Sequence, residues 1–374
     1  MTKHKKPNAL IFTGMYSEKY GAFERYNVEL AKQLHAKGLQ AIFVYNEMPK
    51  VLAYKDDLIS NHAELLFYNP NNKITTTIKN LYSLLKLYKP QIVHTHFNPS
   101  VVRLVCYLSF LFRVPKRYNT FHCMATSHKL ITRVWMYSLN LFCTKQFAIS
   151  EAIRQEQIKV FKTSKSKIET LRLGLDKALF NTDSTSKEAV RAAYNLPKDG
   201  ILIANIAFHD PIKGIDILLD AFKIVSEAEA QVYLCQIGGF DDGYTAYLKQ
   251  KAEQLHIADK IVWLGLQNDV PNLLNAFDVY TQPSRNEGLG LAILEAYYAK
   301  LPVVGSNVGG IPEIVDESKG FLAEKENALD LAEKLLLLVN SKSLREEKGK
   351  QAYNYVNSNY NVTSQVSKLI TYYQ

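Results

Sequence analysis

The sequence predicts two doubly wound α/β domains, and three observations lead there. Short apolar runs alternate with longer amphipathic stretches along the whole chain. The short runs are almost continuously apolar, as strands are when helices cover both faces of a parallel sheet. The length, 374 residues, is long for one core and suits two domains of about 150–200 residues each.

In the first half, strands are expected at 8–14, 40–45, 64–68, 91–97, 117–123 and 146–150, with helices at 23–37, 74–88, 101–112 and 130–143. The second half repeats the plan. Its strands fall at 201–207, 232–237, 261–265, 279–282 and 302–306, and its helices at 214–227, 244–255, 289–299, 328–339 and 344–356. In "IETLRLGLDKALFNTDSTSKEAV" a strand gives way to polar, turn-forming residues, which divides the chain into domains 1–175 and 176–359. The last segment, 360–374, is expected as a helix that crosses back onto the first domain. Ligands of such sheets bind at the carboxyl ends of the strands, so two facing domains would hold the site in the cleft between them.

Charge is divided unevenly. The net charge is +9, but residues 1–175 hold 26 Lys and Arg against 10 Asp and Glu. A basic first half suits an anionic partner, such as an acidic membrane surface. Nucleic acid is not expected, because no aromatic–glycine reader motif is interleaved with the cations. The basic start "MTKHKK" reads as a lipid-touching or solvated tail. Four scattered cysteines without a CxxC pair indicate reduced thiols. With no convincing secretion signal and no apolar run near the roughly 20 residues of a membrane span, a cytoplasmic place is expected, or a peripheral one on the inner membrane face.

Several chemistries lack their motifs. No GxGxxG follows the first strand, and neither GxxxxGK[ST] nor GxSxG occurs. His94 and His96 alternate along a strand without HExxH or a carboxylate partner, so a metal site is not expected.

The informative stretch is "PSRNEGLGLAILEAYYAKLPVVGSNVGG", 283–310. A buried strand ends before it, and a helix is expected just after its glycine loop. A helix start exposes unpaired N–H groups that suit phosphate. Gly288 and Gly290 would let a ligand approach the backbone. Glu287 is expected in the loop and Glu295 two turns down the helix, both able to accept from hydroxyls. Upstream, "NIAFHDPIKGIDILLDAF" puts Lys213 and Gly214 at another helix start, where a cation opposes the helix dipole and so suggests function. Gly309 and Gly310 open a third turn.

Together these pieces resemble the retaining GT-B glycosyltransferases of family 4, whose signature PSxxEGxGxxxxEA is followed by PVVxSxxGGxPE. Weaker echoes, "YGAFERYNVELAKQLHAKG", "IVHTHF", "NTFHCM" and "AISEAIR", extend the resemblance over nearly the whole chain. It implies two Rossmann-like domains, the first binding the acceptor and the second the nucleotide-sugar donor, UDP-linked in the first instance. The acceptor would be a lipid-linked or polymeric glycan of surface polysaccharide or glycoconjugate synthesis.

By the same resemblance, Glu287 meets the donor sugar and Glu295 the ribose. Lys213 and the amides of Gly288, Leu289 and Gly290 hold the diphosphate as it leaves. His122 lies near the reacting carbon, whereas His96 is expected to be a core histidine. Gly21 sits where the first-domain loop nears donor and acceptor. No metal or other cofactor is implied, and the anomeric configuration is retained through an oxocarbenium-like state.

The sequence departs from the family at three places. The arginine expected five or six residues before Lys213 is absent, that region being Ala207-Phe208-His209. A protonated His209, or Arg285 reaching in, would have to replace it. The paired glycines of the N-terminal loop are Gly21-Ala22, and Leu173 replaces an asparagine before the interdomain glycine. The missing cation motivates an alternative, a non-catalytic GT-B scaffold or partner of another transferase. A GT-B-fold epimerase would not account for the signature.

Overall fold

Asn8–Phe12, NALIF, is buried along its whole length and forms the first strand of an all-parallel sheet. The structure is a computed structural model and describes every residue except 1–7, 15–18, 69–73, 98, 126, 181–185 and 240. The basic tail "MTKHKK" lies outside the described residues.

The chain divides into two compact units, Met1–Leu175 with Val362–Gln374, and Asp176–Asn361. In the first unit, strands β1 Asn8–Phe12, β2 Gln40–Tyr45, β3 Glu64–Phe67, β4 Ile92–His96, β5 Lys116–Phe121, β6 Lys145–Ala148 and β7 Ile168–Thr170 pair in the order β3-β2-β1-β4-β5-β6-β7. Its helices are α1 Ala22–Ala36, α2 Leu52–Ser60, α3 Ile74–Tyr88, α4 Pro99–Leu111, α5 Leu130–Phe142 and α6 Glu151–Lys159. In the second unit, β8 Ile201–Ile206, β9 Val232–Ile237, β10 Ile261–Gly265, β11 Val279–Gln282, β12 Val303–Ser306 and β13 Gly320–Ala323 pair in the order β10-β9-β8-β11-β12-β13. Helices α7 Lys187–Ala193, α8 Ile215–Ala228, α9 Asp242–Gln254, α10 Val270–Leu273, α11 Leu291–Tyr298, α12 Ala328–Val339 and α13 Lys342–Asn359 belong to it.

Both sheets reverse their winding beside the first strand of the unit, between β1 and β4 and between β8 and β11. At such a switch point the two flanking loops part and leave a crevice beyond the strand ends. The cores that hold the strands are apolar on both faces. Val93, Val105 and Leu81 are among the buried side chains of the first, and Leu218, Phe222 and Leu335 of the second.

The last helix, α14 Val362–Tyr373, belongs to the first unit and packs on α1. Gln33 donates to the Thr363 carbonyl, and the Tyr373 hydroxyl reaches His94 Nδ1 at 2.6 Å. Elements absent from the sequence expectation are α2, α6, α7, α10 and β13. Four are helices of four to nine residues, too short for apolar periodicity to show.

Candidate active site

The second unit's switch point is built by three turns that close on one another. After β8, Asp210 caps a short 3-10 turn, Pro211–Lys213, its carboxylate accepting from the Ile212 N–H at 2.8 Å. Gly214 then takes a left-handed conformation, φ 66°, before α8 begins. A Cβ there would lie 2.1 Å from the Pro283 carbonyl oxygen, so glycine is what allows this turn to seat on the loop after β11. The Arg285 N–H donates to the Ile212 carbonyl at 2.8 Å and ties the two loops together.

The turn after β12 closes from the other side. The Gly310 N–H donates to the Glu287 carbonyl at 3.1 Å, and a Cβ on Gly309 would stand 1.9 Å from that same oxygen. The GG pair is therefore a backbone support for Glu287, a role that the expectation of a third ligand-facing turn did not contain.

These supports bring Lys213 and Glu287 into direct contact, Nζ to Oε2 at 2.9 Å. Gln282, the last residue of β11, donates to the same oxygen at 2.6 Å, and Ser284 lies 3.4 Å from it. Oε1 of Glu287 accepts from none of the described residues. Gln282 is itself held by the buried Tyr280 hydroxyl, which donates to its Oε1 at 3.1 Å. Burial raises the Tyr280 pKa well above its usual value, and the charges of Glu295 and Glu287 raise it further. Both carboxylates thus act electrostatically on one phenol.

Gly290 caps α11, and Glu295 is the helix's fifth residue. It stands little more than one turn in, not two, because the helix begins at Leu291 rather than 289. Leu289 is buried, so only its backbone can meet a ligand. The N–H groups of Gly288, Leu289 and Gly290 donate to none of the described residues.

Neither proposed substitute for the missing cation is available. Arg285 makes a two-pronged pair with Asp216, 2.8 Å on each arm, and its Nε meets Glu326 at 2.9 Å. His209 is buried with Nδ1 2.6 Å from the Thr245 hydroxyl, and burial, aided by the charge of Lys249, lowers its pKa. A planar guanidinium gripped on both arms and a neutral imidazole leave Lys213 as the cation in contact with Glu287.

In the first unit, His96 ends β4, Phe97 follows it with a φ of 45°, and His122 follows β5. A positive φ is costly for a bulky residue and is held only by its surroundings. Here the Phe97 ring stacks on His122, centroids 4.0 Å apart, with Phe23 edge-on to both. His96 Nδ1 lies 2.9 Å from His122 Nε2. His96 is buried, as expected, and its Nδ1 partner is His122, a pairing the expectation did not contain. An HxH strand beside a TFH strand was the available signal.

Burial lowers the His96 pKa to about 3 and, with the His96 charge, holds the His122 pKa well below its usual value. Both rings are neutral at neutral pH. His96 Nε2 is buried with no partner among the described residues. A buried bare nitrogen is a cheaper orphan than a buried N–H. That assigns the His96 proton to Nδ1, donated to His122, and leaves His122 with an Nδ1–H donor. Gly21 caps α1, and its N–H is already committed to Glu24 Oε2 at 3.0 Å.

Residues 23–179 match Glycosyltransferase Family 4, and residues 186–355 match Glycosyl transferases group 1. The chain is 28% identical over 60% of its length to N-acetyl-alpha-D-glucosaminyl L-malate synthase of Bacillus anthracis, covering 58% of that protein. It is 26% identical over 77% of its length to the UDP-Gal:alpha-D-GlcNAc-diphosphoundecaprenol alpha-1,3-galactosyltransferase of Escherichia coli, covering 76% of it. It spans about half the length of several curated relatives it matches. HepE from Anabaena, solved with UDP-glucose, shares the GT-B fold at a TM-score of 0.84 and 20% identity, over 97% of this chain and 99% of that one. The chain belongs to glycosyltransferase family 4.

Proposed function

We propose that this protein is a retaining, metal-independent hexosyltransferase that moves a sugar from a nucleoside-diphosphate donor to a lipid-linked or polymeric glycan acceptor. The observation that carries the reading is the Lys213–Glu287 contact beside backbone N–H groups, at the start of α11, that donate to none of the described residues. It offers one carboxylate, one ammonium and a set of amides at a strand switch point. Those are the complements of a sugar hydroxyl and a diphosphate.

In this reading the diphosphate lies on the N–H groups of Gly288, Leu289 and Gly290 and shares Lys213 with Glu287. Glu287 Oε1 accepts from a donor-sugar hydroxyl, and Glu295 accepts from the ribose. As the bond between the anomeric carbon and the phosphate oxygen breaks, negative charge collects on the leaving diphosphate. Lys213 and the amides stabilise that charge where it develops. The acceptor hydroxyl attacks the anomeric carbon on the face the diphosphate leaves, and its proton passes to the departing phosphate oxygen as the new carbon–oxygen bond forms. His122, neutral and carrying an Nδ1–H, donates a hydrogen bond to the reacting sugar rather than abstracting a proton.

UDP is the proposed nucleotide, since HepE was solved with UDP-glucose and the Escherichia coli relative is named for UDP-Gal. The latter's name also supports a lipid-linked acceptor. Surface polysaccharide or glycoconjugate synthesis at the inner membrane face is the proposed setting. The test is donor-dependent release of UDP by the purified chain, with UDP-glucose, UDP-galactose and UDP-N-acetylglucosamine as donors. Release abolished by Glu287→Ala in a folded protein supports the reading.

One observation favours a second reading. Arg285 and His209 are both committed elsewhere, so neither replaces the arginine that the family pattern places before Lys213, as in a non-catalytic partner of another transferase. No UDP release from any donor, with nucleotide binding retained, would favour that reading.

A further inference from the structure

Polar side chains alternate along two neighbouring strands of the first unit. His94 and His96 lie two apart on β4, and Lys116, Tyr118 and Thr120 lie two apart on β5, so each set projects from one side of the sheet. The register pairs His94 with Tyr118 and His96 with Thr120, which puts both sets on the same side. All but Lys116 are buried. Apolar residues would fill such a face without the cost of burying polar groups, so the polar ones there need partners or a purpose.

The last turn of α14 supplies partners. Its final carbonyls, on Tyr372 and Tyr373, lie where a helix leaves carbonyls unpaired. Tyr118 donates to the first at 2.7 Å and Lys116 Nζ to the second at 2.9 Å. The Tyr118 and Tyr373 rings stack, 16° from parallel. So seated, the buried Tyr373 hydroxyl lies 2.6 Å from His94 Nδ1, and His94 Nε2 lies 2.7 Å from the Thr120 hydroxyl oxygen.

These contacts place the protons. Burial, with the charges of His96 and His122, lowers the His94 pKa, so the ring is neutral and has one bare nitrogen. The Tyr373 hydroxyl makes no other hydrogen bond among the described residues, and a buried O–H left undonated is costly. It therefore donates to Nδ1, and His94 carries its own proton on Nε2, donated to Thr120. Bonded at both nitrogens, the His94 ring cannot turn. His96 packs against it, centroids 4.2 Å apart, with Phe23 edge-on at 5.3 Å, and meets His122 through Nδ1.

We propose that Tyr373 is a positioning residue for the transfer: by fixing the His94 ring it holds His96, and through His96 the imidazole of His122, in one orientation. The alignment of the three histidines stands without the transferase reading, whereas its effect on turnover rests on it.

The test compares Tyr373→Phe with Tyr372→Phe in the full chain, labelled with nitrogen-15 at histidine. Each variant loses one hydroxyl from the same turn, but the Tyr372 hydroxyl donates to Glu169, outside the histidine stack. In the wild type His94 should report a proton on Nε2 and a bare Nδ1. In Tyr373→Phe the His94 ring should populate both tautomers and the His122 signals should split or broaden, whereas Tyr372→Phe should leave both rings unchanged. The kcat for UDP release should fall about fivefold or more in Tyr373→Phe, with KM for the donor within about twofold of wild type. In Tyr372→Phe kcat should also stay within about twofold of wild type. Thr120→Ser, which keeps the acceptor oxygen, should behave as wild type, and Thr120→Val should behave as Tyr373→Phe.

A wild-type His94 proton on Nδ1, or His122 signals unmoved by Tyr373→Phe, overturns the proposal. So does an equal loss of kcat in the two Tyr variants, which would mark a role in stability alone. Absent UDP release from the wild type would instead show a failed transferase reading, and the nitrogen-15 signals would still decide whether Tyr373 positions His122.

Discussion

Lys213 Nζ stands 2.9 Å from Glu287 Oε2, and Gln282 donates to that same oxygen at 2.6 Å. One carboxylate oxygen is thereby fixed by the protein, while Oε1 accepts from none of the described residues. This arrangement separates two variants that would otherwise look alike. Glu287→Ala should lose both the sugar contact and the restraint on Lys213, lowering kcat by about 10³-fold or more. Lys213→Ala should lower kcat/KM by about 10²–10³-fold through the lost stabilisation of leaving charge. Steady-state kinetics of UDP release reads both, and additive losses in the double variant would show that the pair does not act as a unit.

Gly309→Ala tests the support beneath that carboxylate. A Cβ 1.9 Å from the Glu287 carbonyl oxygen cannot be accommodated without moving the loop. The variant should lose about 2 kcal/mol or more of stability in denaturant titration and most of its activity. Wild-type stability with wild-type kcat would show that the loop is softer than the packing implies.

Arg285→Ala provides the contrast. Its guanidinium is held by Asp216 and Glu326, partly exposed. Removing it should cost about 1–2 kcal/mol of stability and leave KM for the donor within about twofold. A large rise in KM would mean that Arg285 changes partners and reaches the diphosphate after all.

His96 touches the expected substrate region only through its contact with His122, so its conservative variant is the informative one. His96→Asn can still present an N–H to His122 Nε2, whereas His96→Leu cannot. The Asn variant should keep most of kcat and the Leu variant should lose about tenfold or more. Nitrogen-15 shifts of the wild-type imidazoles should report His122 protonated on Nδ1; a proton on Nε2 would reverse the assignment.

The buried histidines also set a pH dependence. Burial lowers the pKa of His94, His96 and His122, so between about 6.5 and their folded values the unfolded chain binds more protons than the folded one. Their contribution is full above pH ~6.5 and lost as pH falls below it, by up to about 1.4 kcal/mol per pH unit for each. Denaturant midpoints at pH 7, 6 and 5 should fall in that order, and His96→Leu should flatten the slope. A midpoint unchanged from pH 7 to 5 would contradict the neutral, buried assignment.

Much of this was legible in the sequence, for identifiable reasons. Strands such as Val232–Ile237 and Val279–Gln282 have the bounds the apolar runs predict, because a buried parallel strand leaves no polar position to blur its ends. The loop position of Glu287 was also legible, since two glycines precede the helix. What the sequence hid was pairing across elements. Nothing local says that Gln282 and Lys213 converge on one oxygen, that Arg285 turns to Asp216, or that His96 meets His122. Those contacts join residues up to 74 positions apart, and only the strand order brings them together.

The central claim is that Glu287 is the donor-sugar carboxylate beside a diphosphate site. Calorimetric titration of wild type and Glu287→Ala with UDP and with UDP-sugars tests it most directly. The account predicts that the variant keeps UDP affinity within a few-fold but loses the preference for the UDP-sugar over UDP. Wild-type affinity of Glu287→Ala for every UDP-sugar that the wild type binds would contradict it.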